Sequence, residues 1–203
     1  MYFVWEVSMT NPFWTEIDIT NIQEYRDNGW QPAMVFPDNL PDEPPPLKVR
    51  VISRKRPADM IMYGLQCVVS ERLRDVLDQF KVQARYFPTE VTWKKAPYTD
   101  AKFFLMKLHD NLDALDTAKS DYDVWDRGGT ILPYIHMRRV VLRDDVVEGY
   151  HFFSLAKCLD QILIASEELV NAVKAAGLTG MTILTLEKWS DYATNGIPAD
   201  EVV

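Results

Sequence analysis

Six aspartates between Asp110 and Asp126 form the densest group of side chains in this sequence that could do chemistry. They are Asp110, Asp113, Asp116, Asp121, Asp123 and Asp126, and one lysine, Lys119, stands among them. Carboxylates at this density can hold a cation or a basic side chain, or they can cap turns. Their spacing fails the calcium loop of an EF-hand, which needs oxygens at alternate positions, a central glycine and a closing glutamate. Asp113 and Asp116 are three residues apart, so a helical turn would place both on one face.

Few other residues could catalyse a reaction. The histidines are His109, His136 and His151. None of them pairs with another at the four-residue spacing of a helical zinc site. His109 beside Asp110 could form an acid–base or metal site, although a strand-end histidine bonded to the backbone is commoner. Glycine-rich nucleotide loops, a nucleophile elbow and a metalloprotease motif are absent. We therefore predict no catalytic residue, no metal site and no cofactor.

Composition and charge narrow the class of partner. The chain has 203 residues, of which 47% are hydrophobic, so it can bury a sizeable core. Asp and Glu outnumber Lys and Arg by 30 to 22, which gives a net charge of −8. This balance argues against nucleic acid as a partner, because phosphate contacts need a basic face. It is compatible with a basic protein partner, and also with a charge that only keeps the protein in solution.

Hydrophobic runs, the N-terminal sequence and the two cysteines predict the compartment and the state of the thiols. No apolar run approaches the length of a membrane helix, and MYFVWEVS lacks the features of a signal peptide. A cytoplasmic protein with no membrane partner is therefore expected. Cys67 and Cys158 belong to no CxxC motif, so they are predicted to be buried core thiols.

The stretch 161–189 reads as strand, helix, strand. A short apolar run leads to Ser166, which is placed to accept backbone N–H groups as a helix N-cap. Two glutamates follow in the first turn, and Gly177 stands where a left-handed C-cap residue belongs. The β-branched residues from Thr182 to Leu186 then predict a second strand.

A second stretch repeats this pattern at an offset of 96 residues. The offset aligns Ser70 with Ser166, Glu71 with Glu167, Leu73 with Leu169, Val76 with Ala172, and Trp93 with Trp189. The pattern predicts an internal β-α-β repeat, in which two helices bury faces that cannot stand alone. The alternative is that any capped β-α-β unit produces a similar pattern.

The rest of the chain favours strands over helices. Strands are predicted at Tyr2–Val7, Leu47–Ser53, Asp59–Tyr63, Ala84–Phe87, Val91–Trp93, Lys102–Leu108, Ile131–Leu142 and Gly149–Leu155. Pro88 marks an edge or a break between two of these strands. Six prolines in 31–46 predict an extended surface arm. We expect an α+β fold with a mostly antiparallel sheet and two or three packed helices. Residues 1–46 would form an N-terminal strand and proline-rich arm, and residues 47–203 the main domain.

Three stretches together resemble a known family. The first is FFLMKLHDNLDALDTAKS, which contains an apolar strand, then Asp113-Ala-Leu-Asp116, then Ser120. The second is HFFSLAK followed by ILIASEEL, and the third is AAGLTGMTI. In order and spacing they resemble immunity protein family eleven of bacterial polymorphic toxin systems, over roughly Val68 to Trp189. The sequence departs from that pattern at Ser154, where the resemblance leads us to expect an arginine.

The resemblance implies a small cytoplasmic protein without catalytic residues that binds and neutralises a cognate toxin. A nuclease is one class of toxin that fits, since an acidic surface could replace its substrate's phosphates. The expected partner-binding residues are Asp110, Asp113, Asp121, Tyr122, Asp123, Trp125 and Asp126. Core burial is the equal alternative for Tyr122 and Trp125, and Asp38, Asp42 and Glu43 of the arm offer a second surface.

Two rival functions remain open at this point. One is an enzyme built on His109 and Asp110, or on Asp113 and Asp116. The other is an adaptor subunit with no toxin partner. The sequence also leaves the oligomeric state open.

Overall fold

Strands and helices form throughout residues 1–6, 15–27, 45–63, 66–127, 130–158 and 162–195, which the computed structural model describes. The strands are β1 (Tyr2–Glu6), β2 (Ile17–Ile19), β3 (Leu47–Val51), β4 (Met60–Tyr63), β5 (Gln66–Ser70), β6 (Ala84–Trp93), β7 (Ala96–Pro97), β8 (Phe103–Leu108), β9 (Asn111–Leu112), β10 (Asp121–Arg127), β11 (Thr130–Arg139), β12 (Phe152–Leu155), β13 (Leu163–Ser166) and β14 (Thr182–Thr185). The helices are α1 (Ile22–Asp27), α2 (Glu71–Gln79), α3 (Asp144–Val147), α4 (Glu167–Ala175) and α5 (Leu186–Asn195).

The strands form two larger sheets and one hairpin. One sheet has the order β2-β3-β6-β8-β5-β4, with β7 paired to β6. The other has the order β14-β1-β13-β12-β9, and β10 pairs with β11. Among these pairs only β3–β6 and β9–β12 run parallel. The predicted α+β class with a mostly antiparallel sheet is confirmed.

Helices α2 and α4 begin at the serines that their sequences predict, and α4 ends just before Gly177. Ser70 Oγ accepts from Leu73 N–H at 3.2 Å at the start of α2, and Ser166 Oγ accepts from Leu169 N–H at 3.3 Å at the start of α4. Gly177 follows α4 with φ +60°, the left-handed conformation expected of it. These features depend on residues close together in sequence, so local chemistry determines them.

Two features differ from the sequence analysis. The second half of the aspartate run, for which no strand was predicted, forms β10. Trp93 and Trp189 do not correspond, because Trp93 ends a strand and Trp189 lies in α5. β14 ends at Thr185, and the chain continues from Leu186 as α5.

Pro88 does not interrupt β6. It pairs with Phe104 of β8, and the pairing of β6 with β3 starts one residue later at Thr89. Pro88 therefore lies where the strand is paired on one side only, as the missing N–H of proline requires.

The two sheets contain matching units, which we name the first unit (β4, β5, α2, β6 and β8) and the second unit (β12, β13, α4, β14 and β1). The strand orders are β4-β5-β8-β6 and β12-β13-β1-β14, and the corresponding pairs are all antiparallel. β8 follows the helix in the first unit, whereas its counterpart in the second unit, β1, comes before the rest of that unit in the chain. The predicted internal repeat is therefore present in the structure, in a permuted form.

The backbone hydrogen bonds repeat as well. In the first unit, N–H groups donate from Ser70 to Asp59 O at 2.7 Å, from Glu71 to Lys102 O at 2.9 Å and from Val82 to Leu77 O at 3.2 Å. In the second unit they donate from Ser166 to His151 O at 2.8 Å, from Glu167 to Met1 O at 2.9 Å and from Leu178 to Val173 O at 3.2 Å. Residues 66–83 thus correspond to residues 162–179, and His151 takes the position of Asp59.

The inner faces of both units share one core. Trp5 of the second unit donates its indole N–H to the sulfur of Met60 in the first unit at 2.9 Å. Trp5 also packs edge-on against Phe152, with ring centroids 5.0 Å apart. The helices α2 and α4 contribute Leu73 and Leu169 to the same cluster. Each helix therefore buries its apolar face against the other unit as well as its own.

Two further clusters lie on the outer faces of the sheets. The cluster of the second unit contains Val4 and Ile164 with Met137 of β11 and Trp189 of α5. The cluster of the first unit joins its sheet to β2, β3 and α1. Cys67 and Cys158 are both buried and are not joined in a disulfide, which confirms the prediction of core thiols.

The N-terminal strand is an inner strand of the second sheet, between β13 and β14. The predicted boundary between 46 and 47 stays a prediction. Most of the proline-rich arm, with Asp38, Asp42 and Glu43, lies outside the described residues.

Candidate partner-binding surface

The aspartates of β10 are bridged by an arginine from β11. Arg138 contacts Asp121 at 2.8 Å and Asp123 at 3.0 Å. Its hydrogen bond lowers the pKa of the Asp121 carboxyl. This part of the run therefore carries less negative charge than its sequence suggests, because Arg138 is distant in sequence and adjacent in space.

The aromatic residues of β10 have different outcomes. Tyr122 is partly buried and packs against the outer cluster of the second unit. Its neighbour Val124 is 48% exposed. Trp125 and Asp126 lie on the strand, but their side chains are outside the described part. The predicted role of β10 in partner binding stays a prediction.

Asp113 and Asp116 do not share the face of a helical turn. Asp113 pairs with Lys157 at 2.6 Å, and Asp116 pairs with Lys119 at 2.9 Å. The chain between them is extended, with Leu115 bridged to Leu142. Asp116 also accepts the backbone N–H of Ala118 at 3.2 Å, so it fastens its own turn. The structure separates the two carboxylates that sequence spacing had paired.

Asp110 lies in a cavity between the two units, which we name the second junction. The cavity has a volume of about 560 Å³ and is lined by Gln79, Phe80, Lys81, Val82, Gln83, Asp110, Gly149, Tyr150, His151 and Phe152. The Asp110 carboxylate accepts the backbone N–H of Gln83, and partial burial raises its pKa. His151 lines this cavity together with Asp110, whereas His109, which precedes Asp110 in the sequence, is not part of the lining.

Ser154 helps to place Asp110. Its backbone N–H donates to Asp110 O at 2.9 Å, and its hydroxyl donates to Asn111 Oδ1 at 3.3 Å. This is the position where the family resemblance led us to expect an arginine. In this chain the position holds a buried serine that ties β12 to the segment entering β9.

His151 contacts the N-cap of α4. Its Nδ1 lies 2.8 Å from Ser166 Oγ and 3.9 Å from a carboxylate oxygen of Glu168. A serine beside a histidine can be a nucleophile and its base. Here Ser166 is buried and its oxygen accepts the N–H of Leu169, so the hydroxyl serves the helix start.

A group of acidic side chains that the sequence analysis missed surrounds the hydroxyl of Tyr2. Burial raises the pKa of Tyr2, and the nearby charges of Glu168, Asp144 and Glu148 raise it further. The hydroxyl donates to Val147 O at 2.5 Å, which ties β1 to α3. We name Asp144, Asp145, Glu148, Glu167 and Glu168 the α3–α4 acidic surface. Asp144 and Asp145 lie more than 20 residues before α4, so no signal along the chain links them to it.

Tyr150 supplies an aromatic side chain next to this surface. It is 37% exposed and packs edge-on against Phe153, with ring centroids 6.3 Å apart. Tyrosine is common among the residues that dominate protein–protein interfaces.

The described residues contain neither a cluster of metal ligands nor a membrane-spanning helix. They contain no group of three or more His, Cys, Asp or Glu side chains that could hold a metal ion. None of their helices is long and apolar enough to cross a membrane.

The comparison with known families decides the class. The sequence model of the Imm11 immunity protein family matches residues 16–188. The chain belongs to this family. No curated protein matches the chain.

Membership implies a toxin as the partner of this immunity protein and a role that is not enzymatic. It confirms the resemblance, and the match starts at residue 16, well before the stretches that carried the resemblance. The second unit lies mostly within the match, and β1 lies before it.

Proposed function

We propose that this immunity protein acts in the cytoplasm, where it binds one cognate toxin and covers the toxin's active site with an acidic surface. The observation that carries the proposal is that Tyr2 lies between α3 and the start of α4: its hydroxyl donates to Val147 O at 2.5 Å, and it pairs with Ser166 in the sheet. Asp144, Glu148 and Glu168 are near enough to raise the pKa of Tyr2. These residues come from separate segments of the chain, so the fold concentrates negative charge that the sequence distributes.

The charge of this surface is compensated only in part: Asp145 contacts Arg143 at 3.1 Å, and Glu167 contacts the N-terminal amine of Met1 at 3.6 Å. Within the described part of the chain, neither Asp144 nor Glu148 forms an ion pair with lysine or arginine. By contrast, the aspartates of β10 share Arg138, and Asp113 has Lys157. Concentrated charge of one sign steers a partner of opposite charge and raises the association rate. The α3–α4 acidic surface is therefore the stronger candidate for the first encounter.

The partner-binding residues predicted from the sequence would belong to the same interface. Asp110 lies in the second junction, whose lining also includes Tyr150. Asp113, Asp121, Tyr122, Asp123, Trp125 and Asp126 would form the flank of the same interface. A toxin that cleaves nucleic acid fits such a surface, because it needs a basic site for phosphates. The immunity protein would then take the place of the toxin's substrate.

The experiment measures association kinetics with the toxin domain encoded beside the immunity gene. Asp144 and Glu148 are both changed to lysine, and the matched control changes Asp18 and Glu24 to lysine on the outer layer of the first unit. We expect the first variant to associate about tenfold more slowly at low salt, and the control to retain most of its rate. The difference should shrink as salt rises, because salt screens exposed charges.

Equal rates for the two variants would remove the α3–α4 acidic surface from the interface. Reversing Asp121, Asp123 and Asp126 to lysine then tests β10 in the same assay. A loss of toxin inhibition without slower association would indicate that these charges act after the encounter.

A further inference from the structure

The two units meet at two corresponding junctions, and the first junction shows what such a site holds. The first junction is a cavity of about 580 Å³ whose lining includes Asp59, Ser70, Arg72 and Thr179. There the Arg72 guanidinium donates to Ala176 O at 2.6 Å and lies 3.5 Å from Asp59 Oδ2. An arginine of one unit thus binds the C-terminal end of the other unit's helix together with a carboxylate.

The second junction repeats part of this geometry, but its carboxylate comes from a different position, because the counterpart of Asp59 is His151. At the offset of 96 residues, Phe80 takes the place of Ala176 at the end of its helix. Asp110 accepts the N–H of Gln83, as Asp59 accepts the N–H of Thr179 at 3.0 Å. The position of Arg72, however, is occupied by Glu168. The chain therefore builds the acceptors of an arginine site at both junctions and supplies its own arginine at only one.

We propose that the second junction binds an arginine side chain of the toxin. The inference rests on the proposed function and names the anchor within that interface. The guanidinium would take the place that Arg72 has in the first junction, with Asp110 and the Phe80 carbonyl as acceptors.

The surroundings favour a cation over a neutral ligand. The carbonyl end of α2 carries the negative end of the helix dipole, and no basic residue lies in its last turn. The rings of Phe80 and His151 pack edge-on with centroids 5.0 Å apart, and Tyr150 lines the same cavity. A planar guanidinium stacks on aromatic faces and donates to carboxylates in pairs, which an ammonium does not. Arginine is therefore the better occupant than lysine.

The positive charge of Lys81 disfavours binding of an arginine in the second junction. Lys81 lines the second junction at the position of Gly177 in the first, and both residues have positive φ. Its charge would compete for Asp110. Replacing it with glycine restores the residue of the first junction, so Lys81→Gly should tighten toxin binding several-fold.

The decisive variant is Glu168→Arg, which gives the second junction the residue of the first. Its guanidinium should bind the end of α2 as Arg72 binds the end of α4, and so exclude the toxin's arginine. The matched control is Glu167→Arg, which makes the same charge change one residue earlier. Glu167 corresponds to Glu71, and it faces the N-terminal amine of Met1 at 3.6 Å instead of the cavity.

Affinity for the toxin domain is measured by calorimetry for the wild type and both variants, with thermal melts to confirm folding. We expect Glu168→Arg to weaken binding at least tenfold more than Glu167→Arg. Asp110→Asn should also weaken binding, and it provides a second test if the arginine variant fails to fold. Equal affinities for Glu168→Arg and Glu167→Arg, with binding by the wild type intact, would overturn the arginine site and leave the proposed function standing.

A probe without toxin separates the two failures. N-acetyl-arginine amide is titrated into the ¹⁵N-labelled wild-type protein, and N-acetyl-lysine amide is the comparison. Amide signals of residues 79–83 and 149–152 should shift with the arginine probe, less with lysine, and not in Glu168→Arg. Shifts spread evenly over the acidic residues would overturn the site. If the wild type does not bind the toxin, the proposed function fails, and this titration alone decides the cavity.

Discussion

The first and second junctions have corresponding positions in the two units and similar volumes, but they hold different side chains. At the first, the Asp59 carboxylate accepts from Ser70 Oγ at 2.7 Å, from Thr179 N–H at 3.0 Å and from Thr179 Oγ1 at 3.3 Å. At the second, the corresponding His151 is about a third exposed, and Glu168 takes the position of Arg72. The comparison indicates that side chains of the first junction bind across the two units, whereas the described lining of the second contains no arginine that could do so.

Gly180 offers the strongest way to break this contrast. It has φ +96°, and a Cβ there would lie 2.3 Å from Met60 O and 2.7 Å from the Ala58 Cβ. Gly180→Ala should destabilise by roughly 2–6 kcal/mol, from backbone strain and overpacking together. Urea denaturation measures the change.

The control is Gly177→Ala, where φ is +60° but nothing lies within 4 Å of the added atom. It should lower the free energy of unfolding by about 1–2 kcal/mol, because only the left-handed backbone is unfavourable there. Equal costs at both glycines would show that the first junction is not tightly closed.

Asp59 and His151 test the same contrast through side chains. Asp59 is only 7% exposed, so Asp59→Ala leaves the Ser70 hydroxyl and the Thr179 N–H without their acceptor. We expect a loss of roughly 2–4 kcal/mol, at about 1–3 kcal/mol per unsatisfied buried group. His151→Ala should cost less than half as much, because water can reach its site. Chemical denaturation of both variants gives the ratio, and a larger cost at His151 would reverse our assignment of the junctions.

The two helix caps should differ by a smaller amount. Ser166→Ala should cost roughly 0.5–2 kcal/mol, the usual cost of losing an N-cap. Ser70→Ala should lie at the upper end of this range, since its hydroxyl also donates to Asp59. Thermal melts of both variants, with serine-to-threonine changes as controls that retain a capping oxygen, measure the difference. Ser166→Ala should bind toxin normally once folded, and a binding loss without a stability loss would give Ser166 a role in the interface.

The smallest effect concerns the pH dependence at Asp110. Burial raises its pKa, so the folded protein holds the proton more tightly than the unfolded chain does. Ionised Asp110 therefore costs stability above its folded pKa, and the cost vanishes below the unfolded value of about 3.8. Asp110→Asn should raise the urea midpoint slightly at pH 7 and leave it unchanged near pH 3. A lower midpoint at pH 7 would mean that the carboxylate stabilises the second junction.

Local signals in the sequence predicted much of the fold. Ser70, Ser166 and Gly177 act within one turn of their own positions, so their effect can be read without knowing the fold. The repeat was visible because the same caps recur at one offset. The pairing of Trp93 with Trp189 failed because the length of a strand depends on its neighbours in the sheet.

The candidate site was harder to predict because its residues act across long distances. The alternation Asp121-Tyr122-Asp123-Val124 has the period of a strand. Aspartate is rare in strands, however, so the pattern does not stand out in the sequence. Arg138 then reduces a charge that looked uncompensated. The position of Glu168 beside His151, which lines the cavity with Asp110, depends on how the two units pack, and no local pattern encodes it.

The placement of β1 has a consequence for synthesis on the ribosome. β1 emerges first, yet both of its partners, β13 and β14, lie more than 150 residues later in the chain. During translation the apolar side chains of β1 stay without their partners. The strands of the first unit all lie between residues 60 and 108, so they can already pair with one another. Contacts so distant in sequence form slowly. The proposed toxin-binding face includes the start of α4, which belongs to the second unit, so a newly made molecule is expected to become protective only after translation has passed β14.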